Sequence, residues 1–315
     1  MRRPAPLPPV LQSAPAFTVR HAVRHGVHPS RLAAADLRRP FHGVRQHAGV
    51  ADDVRSRAMA YAERMPGRQV FSHATAAMLW GMPLPPHFEG DLRLHVGVPA
   101  GSTRSLAEGV VGHVVRPERL GAMSLAGVRL AGPSDAWCQL GSMLGVDDLV
   151  AAADFLITGG EPLNRDAALC TRGELTAALR RHSGCRGATR LREALELARW
   201  GPLSRRESLL RLQLTRGGLP EPVPNLRVLD ATRRLVAIVD LAFPEWRVGI
   251  EYQGDLHRSP SRFRADVRRL ERLADEGWLM VQATADDVGA DGALRDSAAF
   301  VHRVVARLHS RGWCP

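Results

Sequence analysis

The chain has 315 residues, enough for two domains, with 45% hydrophobic residues, a net charge of +11 and a pI near 11.0. No apolar run approaches the roughly 18 residues of a membrane-spanning helix. The four cysteines (Cys138, Cys170, Cys185, Cys314) are scattered without a C-x-x-C pair, which argues against a structural zinc site or a disulfide framework.

All 43 basic residues are arginine, and the chain contains no lysine. The charge is uneven. Residues 1–50 hold eight arginines and five histidines against one acid, Asp36, whereas residues 201–315 hold 18 arginines against 15 acids. Such a surplus is the electrostatic footprint of a nucleic-acid partner, and solubility is the plainer alternative. The basic start MRRPAPLPPVLQSAPAF is too broken by proline to be a signal peptide, so a cytoplasmic location is expected.

In chain order, residues 1–16 are proline-rich and expected to be a disordered tail. Residues 17–37 predict two short helices around Gly26, followed by a strand or wing at FHGVRQH. This matches a helix–turn–helix with a wing, or equally a plain helical hairpin. SHATAAMLWGMPLP predicts a helix capped by Ser72 and ended by Gly81. Strand-like pieces follow at 91–99, 109–116 and 127–131. Helices are predicted within 133–158, the second capped by Asp147 or Asp148, then over 171–184 and 187–199. GPLS (201–204) is the best domain boundary.

Beyond it the order is helix (204–218), three strands (221–230, 232–243, 247–254), helix (259–278), strand (279–284) and helix (291–310). The first helix should bury Leu209, Leu210, Leu212 and Leu214, and the second Phe263, Val267, Leu270 and Ala274. A three-strand meander, a crossover helix and a further strand give a mixed sheet with helices on its faces.

The stretch VDLAFPEWRVGIEYQG places two carboxylates and an amide in an apolar hairpin. If Pro244 pairs with Arg247 across the turn, Asp240 lies opposite Glu251, with Gln253 on the same face. Opposed like charges repel. A hard divalent cation, Mg²⁺ or Mn²⁺, removes the repulsion, and arginines at the sheet edge are the simpler solution. Glu207 can complete such a shell or can form a surface pair with Arg211.

Asp240, ten intervening residues and then Glu251-Tyr252-Gln253, after a helix carrying Glu207, resemble the PD-(D/E)XK nuclease core. GIEYQGDLHR and FRADVRRLERLADEGWLMVQATADDV look like the very-short-patch-repair-like endonuclease domains at the C-terminus of many actinobacterial proteins, over residues 204–311. The resemblance implies a restriction-endonuclease-like mixed sheet, with metal on Asp240, Glu251 and the backbone of Tyr252. It puts Gln253 at the motif's lysine position and makes His257 a candidate general base, the other reading being a loop histidine. Arg258, Arg262, Arg264 and Arg268 are candidate phosphate contacts, or a solvated helix face.

Residues SHATAAMLWGMPLP, LHVGVPAG and GPSDAWCQLG more loosely resemble the AbiEi-type antitoxin family, which implies a winged-helix DNA reader. The expected organisation is a tail (1–16), a helix–turn–helix-like DNA-binding region (17–70), an AbiEi-like α/β middle region (71–200) and an endonuclease-like domain (201–315), an α+β protein overall. The expected activity is metal-dependent DNA cleavage. The alternatives are an antitoxin-like DNA-binding regulator with an inactive nuclease fold, acting with a toxin partner or as a homodimer, and a scaffold with no DNA partner.

Overall fold

The structure, a computed structural model, describes residues 4–159, 168–253, 260–288 and 297–315; the side chains of 260–263 and 297 lie outside that description. It is a mixed α/β protein with three sheets. Two compact units are present: Met1–Met143 with Glu174–Ala188, and Leu144–Gly173 with Thr189–Pro315.

The first unit opens with a correction. Over its described residues the proline-rich start is packed and includes a short helix, α1 (Pro9–Gln12). Leu7 and Leu11 are buried there with Phe17, Ala22, Val27, Leu32 and Leu37. Those two leucines supply apolar area that so short a region could not otherwise assemble. Next come β1 (Phe17–Thr18) and α2 (Val19–Arg24), the latter capped by the Thr18 hydroxyl, which accepts the His21 N–H. Gly26, at φ 77°, ends it.

The expected second helix is only a 3₁₀ turn, Arg31–Ala33, closed by a bidentate Arg31–Asp36 pair. The strand expected at FHGVRQH is present as β3 (Val44–His47), antiparallel to β2 (Leu37–Arg38) on one side and to β1 on the other. The segment therefore lacks a second α-helix of the kind that reads a groove.

After α3 (Val54–Ala62), a five-stranded sheet in the order β6-β5-β4-β8-β7 is built from β4 (Val70–Phe71), β5 (Leu94–Pro99), β6 (Val110–Val115), β7 (Ala122–Leu125) and β8 (Val128–Ala131). α4 (His73–Leu79) follows β4, and α5 (Pro133–Leu140) follows β8. Ser72 holds the N-cap position of α4, but its hydroxyl contacts His73 Nδ1 instead of a helix amide.

The second unit begins with α6 (Val146–Thr158), whose cap is Gly145. Asp147 and Asp148 lie in its first turn, where acids complement the helix dipole, and pair with Arg216 and Arg205. After α7 (Arg172–Arg181), most of which belongs to the first unit, come α8 (Ala188–Leu197) and α9 (Arg205–Arg216). Strands β9 (Val223–Leu229), β10 (Leu235–Phe243) and β11 (Val248–Tyr252) form the predicted antiparallel meander. The helix α10 (Pro260–Asp275) leads to β12 (Leu279–Ala283), parallel to β11. Helices α11 (Ala285–Val288) and α12 (Ser297–His309) follow.

One face of this sheet packs Leu241, Phe243, Val248 and Ile250 against Leu209, Leu210 and Leu214 of α9 and Phe300, Val304 and Leu308 of α12. The other packs Ala237, Val239 and Ala242 against Leu273 of α10. All four predicted leucines of α9 are buried. The face of α10 differs from expectation: Val267 and Ala274 are exposed, whereas Leu273 is buried and Asp266, Arg269 and Leu270 are half-buried. Arg269 turns inward because it meets a carboxylate on the sheet.

A buried tie within this unit is polar. Asp154 of α6, 0% exposed, accepts from Ser208 Oγ (2.7 Å), Arg211 Nη2 (3.1 Å) and the Arg199 backbone N–H (2.6 Å). Arg211 is 1% exposed and also donates to Glu221 (2.7 Å) and to the Leu197 carbonyl. The expected pair of Glu207 with Arg211 is replaced by this network. Asp154→Ala strands a buried guanidinium and is expected to cost about 3–5 kcal/mol, measured as a lower urea midpoint. Loss of less than about 1 kcal/mol would show that Glu221 compensates.

Candidate functional site

The hairpin turn runs through a 3₁₀ turn, Pro244–Trp246, and Arg247 in the left-handed region at φ 50°. It sets the pairs Phe243↔Val248, Ala242↔Gly249 and Leu241↔Ile250, so the same register brings Asp240 opposite Glu251. The Tyr252 N–H donates to Asp240 Oδ2 at 2.8 Å, which is how the Tyr252 backbone enters the site. In the parallel pairing Gln282 lies beside Glu251, and its Oε1 accepts from Gln253 Nε2. The Gln253 N–H donates to the Ala283 carbonyl at 2.6 Å.

Glu251, only 2% exposed, is held by both Nη atoms of Arg269, at 2.5 and 2.7 Å. This bidentate pair is the strong form of the carboxylate–arginine contact. Arg269 thus brings a positive charge onto the buried Glu251 carboxylate.

Glu207 is buried near the same place and feels the Asp240 charge. Its oxygens accept from the Leu203 N–H (2.9 Å), Ser204 Oγ (2.8 Å) and Asn225 Nδ2 (2.8 Å). With Ser204 accepting the Glu207 N–H, this is a capping box that starts α9. Arg206 of the same turn lies over the Tyr252 ring, 4.6 Å from its centroid.

Of the remaining predicted residues, Arg264 and Arg268 are exposed on α10. His257 and Arg258 lie outside the described residues, as does the side chain of Arg262. Arg269, Gln282 and Asn225 were not predicted as site residues. Arg269 carries no signal of its own in the sequence, since a solvated helix arginine leaves the same trace.

Asp240, Glu251 and Gln253 offer oxygen donors on one face, the chemistry that suits a hard divalent cation. The buried Glu207 and Glu251 and the half-buried Asp240 also carry more negative charge than the Arg269 guanidinium offsets. As arranged, Glu251 is saturated by Arg269 and Glu207 by its cap. Among the described residues no three His, Cys, Asp or Glu side chains are gathered as a metal-holding group. A cation fits by donor type and competes with Arg269 for Glu251.

Burial pushes the carboxyls of Asp240, Glu251 and Glu207 above their ordinary values, and Asp240 pushes the other two further. The Arg269 charge pulls Asp240 and Glu251 back in part. With folded values above unfolded ones, this contribution to stability is full below the ordinary carboxylate range. It is lost as pH rises through the raised values. Asp240→Asn is therefore expected to melt above the wild type at pH ~7.5, with the gap closing near pH ~4, where carboxylates protonate. A variant that melts lower at neutral pH would mean that Asp240 is already compensated.

No protein-family model and no solved structure matches the chain. Two Mycobacterium tuberculosis proteins do: the uncharacterized protein Rv2248 of strain H37Rv and the uncharacterized protein MT2308 of strain CDC 1551. Each is 30% identical over 258 residues, which are 80% of this chain and 87% of the relative. The chain belongs to the family of these two mycobacterial proteins.

Proposed function

We propose that the chain is a metal-dependent DNA endonuclease whose second unit is a restriction-endonuclease-like domain of the PD-(D/E)XK type. The observation that carries this reading is the hairpin register, which opposes Asp240 to Glu251 on one buried face with Gln253 next along the strand. Asp240, Glu251 and the Tyr252 backbone would hold Mg²⁺ or Mn²⁺. When bound, the ion supplies a water of lowered pKa and neutralises charge on the phosphate.

The chain's own residues divide the remaining work. Asp240 is fixed by the Tyr252 N–H, which sets its rotamer. Gln253 stands at the position of the motif's lysine and can orient water through its amide. Arg269 holds Glu251 in place before a cation enters. Arg264 and Arg268, exposed on α10, are available to a DNA backbone. The excess of arginine supports a polyanionic partner.

One observation favours a second reading. Arg269 occupies both oxygens of Glu251, so the same fold can bind DNA without cutting it, as a regulator would.

Supercoiled plasmid incubated with Mg²⁺ or Mn²⁺ tests both. Nicking by the wild type is expected, falling by at least roughly 100-fold in Asp240→Asn. Cleavage that survives this substitution removes the assignment of the site. Duplex binding without cleavage under either ion selects the regulator.

A further inference from the structure

The first unit holds a cavity of about 560 Å³ that is distinct in chemistry from the carboxylate site. Its wall carries Arg104, Arg116, Arg119 and Arg186, and among the described residues no carboxylate lines it. Arg104, Arg116 and Arg186 are exposed, and none of the three has an ion pair or side-chain hydrogen bond among the described residues. Arg119 is fixed by donating to the carbonyls of Arg181 and Ser183 and to Cys185 Sγ. Asp135, which is not part of the lining, bonds the lining residue His182. It is already matched by Arg181 Nη2 (3.0 Å) and His182 Nε2 (2.9 Å). The mouth therefore carries positive charge with no internal partner.

The floor is built from imidazoles. His73 and His113 stack with centroids 3.7 Å apart, and His113 Nε2 meets His95 Nδ1 at 2.9 Å. A contact between two ring nitrogens needs at least one neutral ring. Burial and mutual repulsion keep His73 well below its ordinary pKa; burial and His113 keep His95 at about 4; burial and Arg104 lower His113. The groups facing these rings are the rings themselves, His182 and Arg104, with Asp91 and Arg93 acting on His95.

His73 itself is a non-glycine residue at φ 48°. It is held there by Gln139, whose Oε1 accepts the His73 N–H at 2.9 Å while its Nε2 donates to the Arg119 carbonyl. Left-handed backbone at a bulky residue costs free energy and persists where the surroundings impose it. One glutamine thus ties the histidine floor to the arginine wall.

We propose that this cavity is a binding site for a phosphate monoester of about mononucleotide size. Arginines match phosphate oxygens in charge and fork geometry. The neutral imidazoles offer hydrogen bonds to the uncharged remainder of the ligand. The volume, within the range of roughly 300–1,000 Å³ seen for small-molecule sites, exceeds what a bare anion fills. Such a phosphate can belong to a free nucleotide or to the 5′ end of a nucleic acid. This site is independent of the nuclease reading.

Calorimetry on the full chain with inorganic phosphate, a nucleoside 5′-monophosphate, and one oligonucleotide with and without a 5′-phosphate tests the proposal. The monophosphate is expected to bind more tightly than inorganic phosphate, and Arg104→Ala/Arg116→Ala to weaken it roughly tenfold or more. Both substituted residues are exposed, so the fold survives, as an unchanged melting temperature checks. Asp240→Asn is expected to leave this binding unchanged. Preference for the phosphorylated oligonucleotide over the nucleotide identifies a strand end as the source; the reverse identifies a free nucleotide. No monophosphate binding at millimolar concentration, or equal affinity in the double variant, overturns the proposal.

Discussion

Carboxylates taken out of water must be compensated, and the chemistry of the second unit turns on how that is done at Glu251. The bidentate pair with Arg269 joins a sheet strand to the crossover helix across the face where Asp240 also points. It sets the rotation of α10 about its own axis, because the helix must present position 269 inward together with Leu273. It also fixes which carboxylate is spent. Glu251 is satisfied, Glu207 is absorbed by the start of α9, and Asp240 keeps, among the described residues, a single hydrogen bond, to Tyr252.

The same unit contains a second buried acid–arginine arrangement, and the contrast is instructive. Asp154 and Arg211 are both almost wholly enclosed, and each has additional partners that use its remaining hydrogen-bonding capacity. That network joins α6, α9 and the segment after α8. At the hairpin, by contrast, only Glu251 of the three acids has an arginine partner among the described residues, and Asp240 is left with none. Structural ion pairs are closed in this way, whereas sites that must accept a ligand are left with charge to satisfy.

Much of the second unit was legible in the sequence. The turn at Pro244–Trp246 gave the pairing of β10 with β11 and hence the opposed carboxylates. The leucines of α9 gave its buried stripe. What could not be read were contacts that depend on side chains arriving from another element. Arg269 looks like any surface arginine until the helix is docked. Glu207 looks like half of an i,i+4 pair until Arg211 is seen to point toward Asp154. In the first unit the short two-residue strands β1, β2 and β4 carry no periodic signal, and the order of the proline-rich start depends on two leucines meeting a core formed later in the chain. The histidine-floored cavity was invisible for the same reason. His73, His95, His113 and His182 are far apart in sequence and come together only through α4, β5, β6 and the end of α7.

The hairpin register has a further consequence, for folding. A slip by one residue would carry Asp240 and Glu251 to the face occupied by Leu241, Phe243 and Ile250. Two unpartnered carboxylates would then sit among leucines and phenylalanines, a misfold too costly to persist. Arg247 adds a local lock, since its left-handed conformation commits the turn to one geometry. The acids that define the candidate site therefore also proofread the strand pairing, so a chain that loses Asp240 would gain stability at some expense in the uniqueness of its hairpin.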